Sequence, residues 1–265
     1  GIERVYEIGR VFRNEGVDST HSPEFTTLEC YEAYADQFVM AERMKEIIQS
    51  CAKAVGTERI ETENGTIDLF GEWKWVGVYP GLSEAVGVEI TPETDAFVLR
   101  EIAEKHEVDI DPKWDAEKLV TELFGEIVEP TLVNPTFVYD YPPSAQPLAR
   151  PHRSGEPLIE AWDLIIGGME RGTAFSELID PVIQRERLTA QSLLAAAGDD
   201  EAMELDEDFL RALEHGAPPM GGIGLGIDRL IMLLAGDQDP ERPGTVVRQP
   251  GIRETILFPL MKPEA

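Results

Sequence analysis

Residues 3–36, ERVYEIGRVFRNEGVDSTHSPEFTTLECYEAYAD, decide the fold of this chain. Over 2–15 the pattern has a period of two. Ile2, Tyr6, Ile8 and Phe12 share one face, and Glu3, Glu7, Arg13 and Glu15 share the other. That alternation predicts a strand with an apolar side and a polar, pocket-like side. Residues 26–34 repeat it, with Thr27, Glu29 and Tyr31 on one face and Leu28 and Cys30 on the other. The polar run GVDSTHSP between them predicts a long loop joining two antiparallel strands.

Working outward, residues 37–55 predict an amphipathic helix, with Met40, Met44, Ile47, Ile48 and Cys51 at helical spacing. Asn64-Gly65 is a hairpin turn signal. Helices are expected around 94–106 and 115–129, as an inserted lobe at about 90–130. Strands are expected at 135–141, 160–166 and 172–179, the last two joined by a turn at Gly167-Gly168. Helices follow at 182–197 and 206–215, the second capped by Asp206 and ended by Gly216. GGIGLGIDRLIMLLAG, residues 221–236, reads as a glycine-rich strand running into a helix. The stretch 237–250 holds three prolines and reads as a surface loop. Antiparallel strands mixed with helices favour an α+β fold, an antiparallel sheet flanked by helices, over a doubly wound parallel one.

Three groups of residues carry candidate chemistry. Arg13 and Glu15 share a strand face beside the loop bearing His21, and Phe25 follows. A fixed bidentate cation suits a phosphate, and Phe25 with Arg229 could offer two planes to a base. A surface Arg–Glu pair and a core Phe would use the same residues. Glu29 and Tyr31, like Phe175 and Glu177, are i, i+2 pairs on strand faces, and carboxylate plus aromatic suits a long aliphatic cation. A solvated strand face is the plain alternative. Asp163 and Glu170 straddle the Gly167-Gly168 turn, where two hard oxygen donors suit Mg²⁺, or merely guard a strand edge. The G-x-G-x-G run at 222–226 does not open a βαβ unit, so a dinucleotide fingerprint is a poor reading.

FRNEG with the following H.PEFT and E.Y, then FSELIDP (175–181) and GLGIDRL (224–230), resembles the catalytic domain of class II lysyl-tRNA synthetases. ERLTAQSLLAAAGDDEAMELDEDFLRALEHG (186–216) looks most like actinobacterial members. The resemblance implies ATP and Mg²⁺ as cofactors. It implies that Arg13 holds the α-phosphate, Glu15 the adenine amino group and His21 the outer phosphates, with Phe25 and Arg229 sandwiching the base. It implies that Glu177 and Tyr31 hold the lysine ε-ammonium, that Glu29, Thr173 and Phe175 lie beside the substrate, and that Asp163 and Glu170 carry the metal. Two positions depart from the usual pattern: many members carry Asn at the place of Thr173, and Glu at that of Asp163. The resemblance covers nearly all of residues 1–265, from motif 2 to motif 3. The family's anticodon-binding barrel and its motif 1, which forms a homodimer, have no counterpart here. The expectation is therefore a catalytic domain incomplete at its N-terminus, and a stretch that charges no tRNA when made alone.

Composition sets the limits. The 265 residues hold 51 Asp and Glu against 23 Lys and Arg, a formal charge of −28. Broad adhesion to nucleic acid is disfavoured, so a tRNA partner would need a local basic surface or a separate basic region. Cys30 and Cys51 make no metal-ligand spacing, no apolar run approaches a membrane span, and a reduced cytoplasmic setting is the expectation. The implied activity is lysine–tRNA ligation, with lysine and tRNA-Lys as partners. The alternatives are the synthetase-like part of a bifunctional lysyl-phosphatidylglycerol synthase, an enzyme that lysylates a protein such as elongation factor P, and a non-catalytic ATP-binding relic.

Overall fold

The computed structural model describes residues 1–13, 18–196 and 203–259. The opening pair forms as the alternation requires: β1 (Arg4–Phe12) and β2 (Glu24–Ala33) are antiparallel, with Glu7 opposite Glu29 and Val11 opposite Phe25. α1 (Gln37–Val55) follows. Asp36 caps it by accepting from the Phe38 and Val39 amides, and Gly56 ends it at φ 74°, where only glycine is unstrained. β3 (Arg59–Thr62) and β4 (Gly65–Asp68) make the hairpin that Asn64-Gly65 signals. β5 (Lys74–Gly77) runs directly into α2 (Val78–Val86), then α3 (Ala96–Lys105) and α4 (Ala116–Ile127) complete a lobe of three packed helices. β6 (Thr136–Tyr139), β7 (Ala161–Ile165) and β8 (Glu170–Ser176) come next, with Gly167 and Gly168 both left-handed in the turn between the last two. α5 (Pro181–Ala196) and α6 (Glu207–Glu214) precede β9 (Met220–Gly226) and α7 (Ile227–Leu234). The chain continues through β10 (Asp237–Gln238), β11 (Thr245–Arg248) and α8 (Ile252–Thr255).

Among the described residues the main sheet has seven strands in the order β1-β2-β9-β8-β7-β6-β5. Every neighbouring pair is antiparallel except β5–β6, which is parallel, so the fold is α+β with a mixed sheet rather than a purely antiparallel one. A parallel pair needs a crossover, and the helical lobe is that crossover, α2 to α4 lying between β5 and β6. α2 escapes sequence reading because Pro80 and Gly81 interrupt a short apolar run. Gly81 is required by packing: a Cβ there would overlap Val76 and Phe124.

Two cores result. One lies between the sheet, α1 and α7, around Met44, Ile48, Trp162 and Leu233; the other fills the lobe beneath β6 and β7, around Leu82, Leu99, Leu123 and Phe124. The stretch 237–250 corrects the surface-loop expectation. β11 pairs in parallel with β3, and Val246 is fully buried against the first core. Pro240, Pro243 and Pro250 fall outside the paired TVVR segment, so their missing N–H groups cost the ladder nothing. β1 forms the sheet's outer edge, and Tyr6, Ile8 and Phe12 on its apolar face are exposed.

Candidate active site

Residues of β2, β7, β8, β9 and α7, with Arg13 just after β1, line two adjoining pockets. The first, about 220 Å³, is lined by Arg13, His21, Phe25, Glu29, Glu170, Arg171, Thr173, Asp228 and Arg229, among others. The second, about 780 Å³, is lined by Arg13, Glu29, Tyr31, Gln146, Leu148, Asp163, Glu170, Thr173, Phe175, Glu177 and Met203, with glycines of β9. Arg13, Glu29, Glu170, Thr173 and Gly224 belong to both. Every site residue read from the sequence therefore lies on one or both pockets, apart from Glu15, which falls outside the described residues.

In the first pocket the Arg13 guanidinium stands over the Phe25 ring at 5.1 Å, a cation–π contact. Arg229 lines the same pocket. Its Nη1 donates to the Glu170 carbonyl at 3.0 Å and its Nη2 lies 3.2 Å from His21 Nε2. His21 Nδ1 in turn faces Asp18 at 2.9 Å. Asp18 accepts from the Thr20 and His21 amides and the Thr20 hydroxyl. These bonds, led by the Thr20 amide, hold its carboxyl well below the usual carboxylate range. Residues 18–21 are thus braced from within by Asp18.

Two residues that sequence reading passed over complete this pocket. Asp228, buried in the first turn of α7, accepts from the Thr26 amide at 2.6 Å and ties the Arg229 helix to the strand bearing Phe25. Its place beside Arg229 in GLGIDRL was the available signal. Arg171, 3% exposed, donates to the carbonyls of Ile166 and Arg229, and burial, with Arg229 second, pulls its pKa down to about 10. No local pattern marks a buried arginine of this kind.

The second pocket ends in carboxylates. Burial first and Glu29 second push the Glu177 carboxyl up to about 8, while Arg150 opposes the shift. Burial also raises Glu29, against the pull of Arg13. Tyr31 is pushed up to about 12 by burial, then by Glu177 and Glu29, so its hydroxyl remains a donor. β9 must be glycine here: a Cβ on Gly222 would overlap the Glu177 carboxylate and the Tyr31 ring. The space at Gly222 is thus taken by the Glu177 and Tyr31 side chains.

Asp163 lies opposite Thr173 in the β7–β8 ladder, and Glu170 opposite Ile165. Burial, then the neighbouring Glu170, pushes the Asp163 carboxyl up, and Glu129 at the end of the lobe is raised to about 7 by burial and by Glu170. Crowded carboxylates of this kind are relieved by a divalent cation, and two hard oxygen donors fit Mg²⁺. Among the described residues no group of three or more His, Cys, Asp or Glu could hold a metal by itself. The remaining ligands would be phosphate and water oxygens, the ordinary arrangement for Mg²⁺. Thr173 donates to the Trp162 carbonyl at 3.2 Å and, like Glu170, lines both pockets.

Two adjoining pockets, one carrying Arg13, Phe25 and Arg229 and the other ending in carboxylates, thus lie on one side of a mainly antiparallel sheet. Residues 1–262 match the family model described as tRNA synthetases class II (D, K and N), and the chain belongs to that family. It is 50% identical over 266 residues to the lysine–tRNA ligase of Kineococcus radiotolerans, covering 99% of this chain and 51% of that protein. It is 47% identical over 269 residues to the lysylphosphatidylglycerol biosynthesis bifunctional protein LysX of Nocardia farcinica, covering 99% of this chain and 23% of that protein. The LysX protein of Mycobacterium avium is 46% identical over 269 residues, with 99% and 22% covered. The chain therefore spans about half the length of the ligase and under a quarter of the bifunctional proteins. None of its described helices is long and apolar enough to cross a membrane.

Proposed function

We propose that this chain is the adenylate-forming centre of a lysine–tRNA ligase, which activates lysine with ATP and passes it to tRNA-Lys. The observation that carries the reading is the carboxylate end of the second pocket: Glu177 over Gly222, beside Tyr31 and Glu29, with Arg13 at the mouth where the two pockets join. A cationic side chain compensates such a pocket.

In this reading the lysine ε-ammonium lies against Glu177 and Tyr31, and Phe175 lines the aliphatic stem. The lysine carboxylate then lies at the junction, facing the α-phosphate. One carboxylate oxygen attacks the α-phosphorus, the acyl–oxygen–phosphorus bond forms, the α–β bridging bond breaks, and pyrophosphate leaves. Arg13 is placed to neutralise charge on the α-phosphate, while His21, Arg171 and Arg229 supply donors and positive potential for the rest of the nucleotide. Asp163 and Glu170 would hold Mg²⁺, which screens phosphate charge when bound. The same reading implies a homodimer in the whole protein, and tRNA contacts outside this strongly acidic stretch.

A second reading is the synthetase part of a bifunctional lysyl-phosphatidylglycerol protein, favoured by the 47% identity to the N. farcinica protein. Both readings share lysyl-adenylate. Lysine-dependent pyrophosphate–ATP exchange by the full-length protein tests that shared step, with exchange driven by another amino acid but not lysine counting against both. Charging of tRNA-Lys beside lysyl-lipid formation in anionic vesicles separates them.

A further inference from the structure

The second pocket has a wall that none of the residues so far assigned belongs to. Gln146 and Leu148 line it from the segment between β6 and β7. That segment has no regular structure of its own, and contacts from several elements hold it, among them bonds from Arg150 to the Ser176 and Glu177 carbonyls. Ser144 donates its amide to Glu117 of α4 at 2.9 Å. Leu178, just beyond Glu177, donates its amide to the Leu148 carbonyl at 2.9 Å. From α5, Arg187 Nη1 donates to the Ala149 carbonyl at 2.6 Å and to the Pro147 carbonyl at 3.4 Å, and the fully buried Gln184 reaches the same Pro147 carbonyl.

The two carbonyls that Arg187 grips flank Leu148. Pro147 and Leu148 form a turn closed by the Ala149 amide on the Gln146 carbonyl, so fixing the backbone at Pro147 and Ala149 from α5 fixes where Leu148 stands in the pocket. The grip is a charged donor on backbone acceptors, made by a half-buried side chain, and such bonds are stronger and better oriented than neutral ones. The neighbouring Ala149 forms an isolated bridge with Glu177, so the same segment also abuts the acidic end of the pocket.

We propose that Arg187 is a positioning residue that sets the depth of the amino-acid pocket through segment 146–149, and thereby sets the length of side chain the pocket accepts. This rests on the lysine reading above. A fitted apolar pocket distinguishes substrates that differ by one methylene by about 10–200-fold, and that margin depends on where the wall stands. Small displacements of a positioning element cost rate even when no reacting group is touched.

The test uses the full-length protein, with lysine and its one-methylene-shorter homologue ornithine as substrates for pyrophosphate–ATP exchange. Arg187→Met keeps the aliphatic stem and removes the grip. The expected result is a rise of about tenfold in KM for lysine and a fall of similar size in the preference for lysine over ornithine, with KM for ATP and the melting temperature close to wild type. Arg187→Lys, which retains one charged donor, should recover part of both changes. Unchanged lysine KM and unchanged preference would overturn the proposal. So would a uniform fall in kcat, in affinity for both substrates and in melting temperature, since that marks general destabilisation. If Arg187→Met does not fold, the lysine–ornithine preference of Arg187→Lys decides: a lowered preference supports the role and an unaltered one overturns it. Wild-type protein that ignores lysine altogether would overturn the functional reading instead, so the two failures are distinguishable.

Discussion

Lysine binding should release a proton, and Glu177 is its source. The Glu177 carboxyl is pushed up to about 8 by burial and by Glu29, with Arg150 opposing, so roughly nine in ten empty sites hold that proton at pH 7. The groups facing it are Glu29, Tyr31 and Arg150, and of these Glu29 is raised by burial and Tyr31 stays protonated. An entering ammonium requires the ionised carboxylate, so lysine affinity should rise with pH. Between pH 6 and pH 8 the gain is about 50-fold, and it levels off above roughly pH 9. Replacing Glu177 by Gln leaves the buried ammonium without its charge partner, a loss of roughly 3–5 kcal/mol. Against this stands about 1.4 kcal/mol that the wild type spends on deprotonation at pH 7, which the variant does not. The net loss is about 2–4 kcal/mol, or roughly 30- to 1,000-fold in Kd. Isothermal titration at pH 7 in two buffers of different ionisation enthalpy counts the protons: about one released by wild type, none by Glu177→Gln, with ATP binding unaltered in both. Pairing that is independent of pH from 6 to 8, with no proton released, would refute the reasoning. Stability carries the opposite sign. A carboxyl whose folded pKa lies above its unfolded value destabilises the empty fold progressively as pH rises from about 4.5 to 8, so Glu177→Gln should melt higher than wild type at pH 8 and converge with it near pH 4.5.

Arg13→Ala should lower lysine-dependent pyrophosphate exchange by about 10²–10³, as expected for loss of a donor to charge that develops at the α-phosphate; exchange within tenfold of wild type would remove Arg13 from that role. Asp163→Asn should raise the Mg²⁺ concentration for half-maximal exchange by about tenfold or more, and an unchanged Mg²⁺ requirement would show that this carboxylate is not a ligand. Val246→Ala deletes two fully buried methyl groups from the first core and should cost roughly 2 kcal/mol in urea denaturation, whereas a surface-loop position would register almost nothing.

Much of the site was legible from residue order because it is built on strands whose polarity alternates. A period of two put Glu29 with Tyr31 and Phe175 with Glu177 on shared strand faces, the family resemblance pointed them and Arg13 to a pocket, and the structure brings each of them to the paired pockets. The Gly167-Gly168 turn was equally local, and it sets Asp163 and Glu170 on neighbouring strands. The helix cap at Asp206 was readable for the same reason: a cap is a contact within three residues.

Contacts between distant stretches were not legible. Nothing in KWVG or TFVY tells that they pair in parallel, because parallel partners are joined only through a crossover whose path is set by packing. The TVVR segment between prolines is too short for periodicity to separate a strand from a loop, and its partner β3 lies nearly 190 residues earlier. Arg171, Asp228 and Arg187 act on backbone N–H and C=O groups of other elements, and such groups recur along the whole of any sequence. The proton on Glu177 is likewise a property of the assembled pocket. A glutamate in a strand is an ordinary ionised side chain until folding strips its water and sets Glu29 beside it.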